Sequence, residues 1–345
     1  MVIRTIVSII VIAVATAIAV PARAEPVVVA SIKPIHSLVA GVMKGVGSPV
    51  LLVPGSSSPH SYVLKPSQAV MLERADLVFW IGEALETFLA KPISTIATHA
   101  VSIELETSGV VRLAVREGAT FERHVHDDDE DHHRHETHKG AHAEDDDDDH
   151  HGHEAHKGAH AEDDDDDHHG HESIDPHVWL DPENAKAFVQ VIKDTLVRLD
   201  PTNAVSYQAN FEAVTAELDA LTEEVGAMLR PVAGKPFVVF HDAYLYFERR
   251  FGVTAVGAIS VSPEAKPSAE RIREIRSKVS ELGAVCVFSE PQFETRLVSI
   301  VMEGEKAKSG VLDPLGAGLE PGPGFYSELI RGMAVSIRNC LSEAS

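Results

Sequence analysis

Of the 20 histidines in the chain, 15 fall between Glu122 and Glu172, and only His36, His60, His99, His177 and His241 lie elsewhere. Unprotonated imidazole is a good ligand for borderline metal ions near neutral pH. Three of these five sit where a ligand could be held. His60 closes the run Pro54-Gly-Ser-Ser-Ser-Pro-His60, just after an apolar strand-like segment. His241 directly ends a second such segment, Val238-Val-Phe-His241-Asp242. His177 lies in Asp175-Pro-His-Val-Trp-Leu-Asp181-Pro182, on a loop leading into a helix. In open α/β sheets, ligands bind beyond the carboxyl ends of the strands. Three neutral imidazoles converging on one cleft make a ligand set for Zn²⁺, with a fourth position for a carboxylate or water. Asp313, in Gly310-Val-Leu-Asp313-Pro-Leu-Gly316, is the carboxylate candidate. An Asp before Pro is equally suited to capping the following turn, and both readings stay open. His36 reads as a core residue in an apolar helical stretch, and His99 as a surface residue before a strand.

The other histidines form a different chemistry. They are His124, His126, His132, His133, His135, His138, His142, His150, His151, His153, His156, His160, His168, His169 and His171. Residues His138–Glu154 read HKGAHAEDDDDDHHGHE, and His156–Glu172 repeat that string with a period of 18. Each copy pairs five Asp with five His. There is no apolar periodicity, so the segment 122–172 is expected to be disordered without a ligand. A flexible chain with many imidazoles binds several metal ions weakly, because ordering it costs entropy. It reads as an auxiliary low-affinity zinc collector that raises the metal concentration near the cleft, or else as a solubilising spacer.

This segment also explains the charge. The chain of 345 residues has a formal net charge of -23, and residues 122–172 carry -17 of it. The remainder is only mildly acidic and shows no basic footprint, which argues against a nucleic-acid partner.

The elements that must position the three histidines alternate between strand and helix. Val27–Ile32, Val50–Val53, Asp76–Ile81 and Ala100–Glu104 read as strands in the first half, with helices over Ile35–Met43, Ser67–Arg74 and Leu85–Leu89. Phe237–Phe240, Val253–Ile259, Ala284–Phe288 and Gly310–Leu312 repeat the scheme in the second half, with helices between them and a last one over Gly324–Leu341. Continuous apolar strands separated by helices imply a parallel sheet covered on both faces. Between the halves, Tyr207, Phe211, Val214, Leu218, Leu221, Val225 and Met228 form one stripe at helical spacing, bounded by Pro201 and Pro231. The fold class is therefore α/β: two lobes, each with a roughly four-stranded parallel sheet, joined by one long backbone helix, with the metal site in the interlobe cleft. The divisions are a signal peptide 1–24, a first lobe 25–200 containing the insert 122–172, a linker helix 201–231 and a second lobe 232–345.

Arg4, the apolar run Thr5–Val20 and the small-residue site Ala22-Arg23-Ala24 make the signal peptide, with cleavage after Ala24. No Cys follows the run, so no lipid anchor is expected. In an oxidising compartment Cys286 and Cys340 would form one disulfide, the alternative being two buried thiols.

Five motifs together resemble one family. SPHSYVLKPS (Ser58–Ser67), DPHVWLDP (Asp175–Pro182), FHDAYLYFERRFG (Phe240–Gly252), SEPQF (Ser289–Phe293) and LDPLG (Leu312–Gly316) are similar to the zinc-specific periplasmic solute-binding proteins of ABC importers. The resemblance implies zinc ligands at His60, His177 and His241 and a Cys286–Cys340 pair. It implies a periplasmic monomer that hands Zn²⁺ to a membrane permease and, through it, to an ATPase. The sequence departs from some relatives at Pro59, where they carry a zinc-binding Glu. The fourth position then falls to Asp313, water or a residue of the insert. A His rather than a carboxylate at position 241 favours zinc over manganese or iron. Competing readings are a manganese or iron receptor, a periplasmic zinc buffer and a metal hydrolase. Against the last, no general base stands at a recognised catalytic spacing, and Glu290 is the only weak candidate.

Overall fold

A computed structural model describes residues 25–54, 57–116, 173–260, 267–281, 286–293 and 296–342. The signal-peptide segment and the His/Asp-rich insert lie outside these described residues. The first lobe contains β1 (Val28–Ala30), α1 (Lys33–Val42), β2 (Val50–Leu51), α2 (Pro66–Glu73), β3 (Leu77–Trp80), α3 (Thr87–Thr95) and β4 (Val101–Glu104). Two helices follow, α4 (Pro182–Leu199) and α5 (Ala204–Leu229). The second lobe contains β5 (Phe237–His241), α6 (Leu245–Phe251), β6 (Ala255–Ser260), α7 (Ala269–Glu281), β7 (Cys286–Ser289), α8 (Arg296–Met302), β8 (Lys308–Val311) and α9 (Phe325–Ser342). The two sheets have the same plan, β2-β1-β3-β4 and β6-β5-β7-β8. Every strand pair is parallel.

The alternation of side chains along each strand decides the layering. Leu77 and Phe79 of β3 face a central core, and Val78 and Trp80 face α2 and α3 through Leu72 and Leu89. Phe237, Val239, Cys286 and Phe288 face the same central core from the second sheet. Val238, Phe240 and Val287 face the outer layer of α7 and α8 through Ile275, Val279, Val298 and Val301. The strands are apolar on both faces because helices cover both.

The inner faces of the two sheets share one core, and α5 runs through it. Tyr207, Leu218, Leu221 and Val225 are buried, while Phe211, Val214 and Met228 pack against the same core part-buried. All seven residues of the expected stripe are thus used. Its ends are tighter than expected: one-turn 3₁₀ segments at Pro201–Asn203 and Arg230–Val232 flank the α-helix. Gly41 lets α1 come close, since a Cβ there would sit 2.9 Å from the Val214 Cγ2. Asn210 Nδ2 donates to the carbonyls of Val42 and Lys44, satisfying the open end of α1. Cys286 and Cys340 are disulfide-bonded across 54 residues, fastening α9 to β7.

Helix α4 goes beyond the sequence expectation, which placed only the start of a helix after His177. Pro182 opens it, and the Asp181 carboxylate accepts from the Glu183 amide at 2.9 Å as its cap. Among the described residues no helix is long and apolar enough to cross a membrane.

Candidate metal centre

Each of the three histidines is delivered by a different local device. His60 lies on a one-turn 3₁₀ helix, Pro59–Ser61, after β2. Buried Gln68 of α2 fixes that loop on both sides. Its amide nitrogen donates to the Leu52 carbonyl and to the Tyr62 hydroxyl, the latter at 2.7 Å. His177 precedes the 3₁₀ turn Val178–Leu180 and is buried. His241 is the last residue of β5, also buried, at the carboxyl end of its sheet.

Their Nε2 atoms converge. His60 Nε2 is 3.2 Å from His177 Nε2, and His241 Nε2 is 3.3 Å from His177 Nε2. Among the described residues these three form the group of His, Cys, Asp or Glu side chains able to hold a metal ion, with ligand atoms all within 4.8 Å of one another. Two nitrogens bound to a tetrahedral zinc at about 2.0–2.1 Å lie about 3.3–3.4 Å apart. The two observed separations from His177 lie close to that tetrahedral edge.

Hydrogen bonding at the far side of two rings sets their tautomers. His177 Nδ1 donates to Asp175 Oδ1 at 2.7 Å, and His241 Nδ1 donates to Glu290 Oε1 at 2.6 Å. With the proton on Nδ1, both Nε2 atoms present lone pairs to one another. Lone pairs 3.3 Å apart repel, and a cation between them turns that repulsion into coordination. A carboxylate behind the ring also raises the basicity of the ligand nitrogen.

Burial reinforces this. It pulls the His177 imidazole well below the usual histidine range, with the neighbouring His241 adding to the effect. Burial pulls His241 down too, but the Glu290 carboxylate outweighs it and the net shift is upward. Burial pushes the Asp175 carboxyl up to about 7, partly offset by the His177 amide and the Arg116 guanidinium. The cavity in front of the rings is lined by Ser58, Pro59, Trp179, Glu290, Gln292, Phe293, Pro314 and Leu315 besides the three histidines. Its volume of about 10 Å³ has room for one water-sized sphere.

Asp313 makes the contacts of a turn cap. Its Oδ1 accepts from the Leu315 amide at 3.1 Å and from Gln292 Nε2 at 2.8 Å, and its Oδ2 accepts from the Ala317 amide at 2.6 Å. It caps the turn that places Pro314 and Leu315 on the cavity wall, and it stands outside the three-imidazole group. Pro59 lines the cavity as well. His36 is part-buried, within 3.2 Å of the Pro49 carbonyl, and His99 is exposed. The 15 histidines of the insert lie outside the described residues. Sequence reasoning did not assign the orienting carboxylates. Asp175 had a local signal, two residues before His177. Glu290 is 49 residues from His241 and becomes its partner through sheet pairing.

Residues 28–340 match the family model described as ZnuA, zinc-uptake complex component A, periplasmic. The chain is 52% identical over 317 residues to the high-affinity zinc uptake system protein ZnuA of Brucella suis, covering 92% of each. It is 45% identical over 328 residues to the ZnuA of Paracoccus denitrificans, covering 94% of each. In fold it is similar to a crystal structure of ZnuA (TM-score 0.70, 24% identity, 92% of this chain and 100% of that one). It is similarly close to the periplasmic zinc binding protein TroA from Treponema pallidum (TM-score 0.70, 19% identity, 92% and 99%). With the match running from the first strand to the last helix, the chain belongs to the ZnuA family of periplasmic zinc-uptake components.

Proposed function

We propose that this chain captures one Zn²⁺ ion between its two lobes in the periplasm and hands it to the membrane permease of an ABC importer, driven by an ATPase. The observation that carries the reading is the convergence of the three Nε2 atoms: His60 and His241 each stand 3.2–3.3 Å from His177, close to the edge of a tetrahedral zinc site, and all three ligand atoms lie within 4.8 Å of one another. The Nδ1 partners support it, because they leave the Nε2 lone pairs free of protons. The lobe divisions 25–200 and 232–345 and the linker helix 201–231 follow the two repeated sheets and the stripe of α5.

The fourth coordination position belongs to an exchangeable water or a residue of the insert. The Asp313 carboxylate is already engaged by two amides and Gln292. Such an open position suits a carrier that must release its ion. The protein is a binding receptor, not an enzyme: Glu290, the one weak general-base candidate, is occupied in orienting His241.

The insert acts as an auxiliary collector. Val115 N donates to Ser173 O at 2.9 Å, so the two ends of the segment are joined four residues before His177. Ions bound there weakly are held at high effective concentration beside the cleft. Cleavage of 1–24 after Ala24 releases a monomeric periplasmic protein without a lipid anchor.

The test is metal titration of wild type and His60→Ala, each with and without residues 124–171. One tight zinc site is expected in wild type and in the insert deletion, with loss of tight binding in both His60→Ala proteins. A tight site surviving His60→Ala and insert removal together refutes the assignment. An unchanged number of bound metals after deletion refutes the collector.

A further inference from the structure

Arg116 is the last described residue before the insert. It ends a short ribbon in which Ala114 bridges Ile174 in antiparallel fashion and the Asp175 amide donates to the Leu113 carbonyl at 2.8 Å. By sequence both arms of the ribbon belong to the first lobe. Their hydrogen bonds go to the second. The Leu113 amide donates to the Tyr246 hydroxyl at 3.0 Å, and that hydroxyl donates to the Asp175 carbonyl at 2.9 Å.

The guanidinium of Arg116 meets two carboxylates of the second lobe. Its Nε donates to Asp242 Oδ2 at 2.9 Å, its Nη1 to Glu248 Oε2 at 2.9 Å and its Nη2 to Glu248 Oε1 at 2.8 Å. A bidentate fork of this kind fixes direction as well as distance. Asp242 adjoins His241, and Glu248 is itself anchored by the Ala255 amide at 2.9 Å. Further along, Arg250 grips Asp181 with bonds of 2.6 and 2.9 Å, and Trp179 Nε1 donates to the Pro314 carbonyl at 2.9 Å. The segment 173–181 that carries His177 is therefore fastened to the second lobe at three points, through Asp175, Trp179 and Asp181, although it precedes the linker helix. The loop carrying His60 is fastened by Gln68 of the first lobe.

We propose that Arg116 is a positioning residue for metal capture: its clamp on Asp242 and Glu248 fastens His177 to the second lobe, so that His177 and His241 form a two-imidazole platform which His60 closes from the first lobe. The proposal rests on the reading of these three histidines as the zinc site. It divides the ligands two to one against their order in the chain and makes opening of the cleft a loss of His60 alone.

The experiment measures zinc release from the full mature chain by stopped flow into excess chelator, together with the visible spectrum of the Co²⁺-loaded protein. Arg116→Met is expected to raise the release rate by about 10–100-fold, the usual effect of removing an outer-shell support, and to shift the Co²⁺ bands. Arg116→Lys keeps the charge without the fork and recovers part of the effect. Arg331→Met, which breaks the exposed pair with Glu224 between α5 and α9, serves as control and releases at the wild-type rate. Release from Arg116→Met within twofold of wild type, or equal acceleration in the Arg331 control, overturns the proposal. Should Arg116→Met not fold, Tyr246→Phe decides by the same criterion: faster release supports the platform, unchanged release overturns it. A wild-type release rate in His177→Ala would instead sink the zinc-site reading itself, whatever Arg116 does.

Discussion

Replacing Glu290 with Gln probes the electrostatics behind a ligand without touching the ligand. Glu290 Oε1 accepts from His241 Nδ1 at 2.6 Å, and both groups are buried. Gln keeps an acceptor of similar shape but removes the charge. Two consequences follow with definite signs. The ring loses basicity, so zinc affinity near pH 7.5 falls by about 10–100-fold, or about 1.4–2.7 kcal/mol. The second concerns protons. His241 titrates above its usual range because the Glu290 carboxylate outweighs burial. Zinc requires the unprotonated ring, so binding is complete well above that raised value and is lost as pH falls through it. Without the carboxylate, burial is less opposed and the ring holds its proton less well, so protons compete less in the variant and its affinity deficit is largest at high pH and shrinks as pH falls. The assay is competition with a chromophoric chelator at half-unit steps from pH 5 to 8. Affinity within twofold of wild type at pH 7.5, or a deficit that stays constant or grows toward pH 5, would refute this role for Glu290.

Other expectations concern the scaffold. Burial raises the Glu86 carboxyl to about 7 from an ordinary 4.5. Its cost is absent below pH 4.5 and grows as pH rises to 7, so Glu86→Gln should stabilise the protein at pH 8 by up to about 3 kcal/mol and leave it unchanged at pH 4; equal urea midpoints at pH 8 would contradict this. Gly41→Ala drives a methyl to 2.9 Å from the Val214 Cγ2 and should destabilise by about 1–3 kcal/mol, with partial recovery in the Gly41→Ala/Val214→Ala double variant, read by thermal unfolding. Reducing Cys286–Cys340 releases α9 from β7 and should lower stability by about 2–4 kcal/mol, measured as the shift of the urea midpoint with and without reductant.

The placement of His60 and His241 was legible because both follow apolar strand runs, and the ends of parallel strands converge where ligands bind. The stripe of α5 was legible because its seven residues keep one face over six turns. The carboxylate behind His241 was not, because no local pattern links positions 241 and 290. The pairing of β5 with β7 sets Phe237 against Cys286 and Val238 against Val287. Continued four residues from the first pair, that register brings His241 level with Glu290. Register between parallel strands that are not consecutive in sequence is a tertiary property, written in no single segment. Asp313 shows the converse limit. An Asp at a strand end before Pro suits either a ligand or a cap, and no local pattern in the sequence reveals the Leu315 and Ala317 amides that its carboxylate meets. Arg116 carried no periodic signal at all; its meaning comes from the second-lobe carboxylates it reaches.

In the proposed site His60, His177 and His241 bind one Zn²⁺ through Nε2. Zinc-edge X-ray absorption on the insert-deleted chain loaded with one equivalent of zinc tests it most directly. Such a site gives a four-coordinate shell of nitrogen and oxygen at about 2.0–2.1 Å with scattering from three imidazoles, falling to two in His60→Ala. A six-coordinate oxygen shell, or an imidazole count that does not change in His60→Ala, would contradict it.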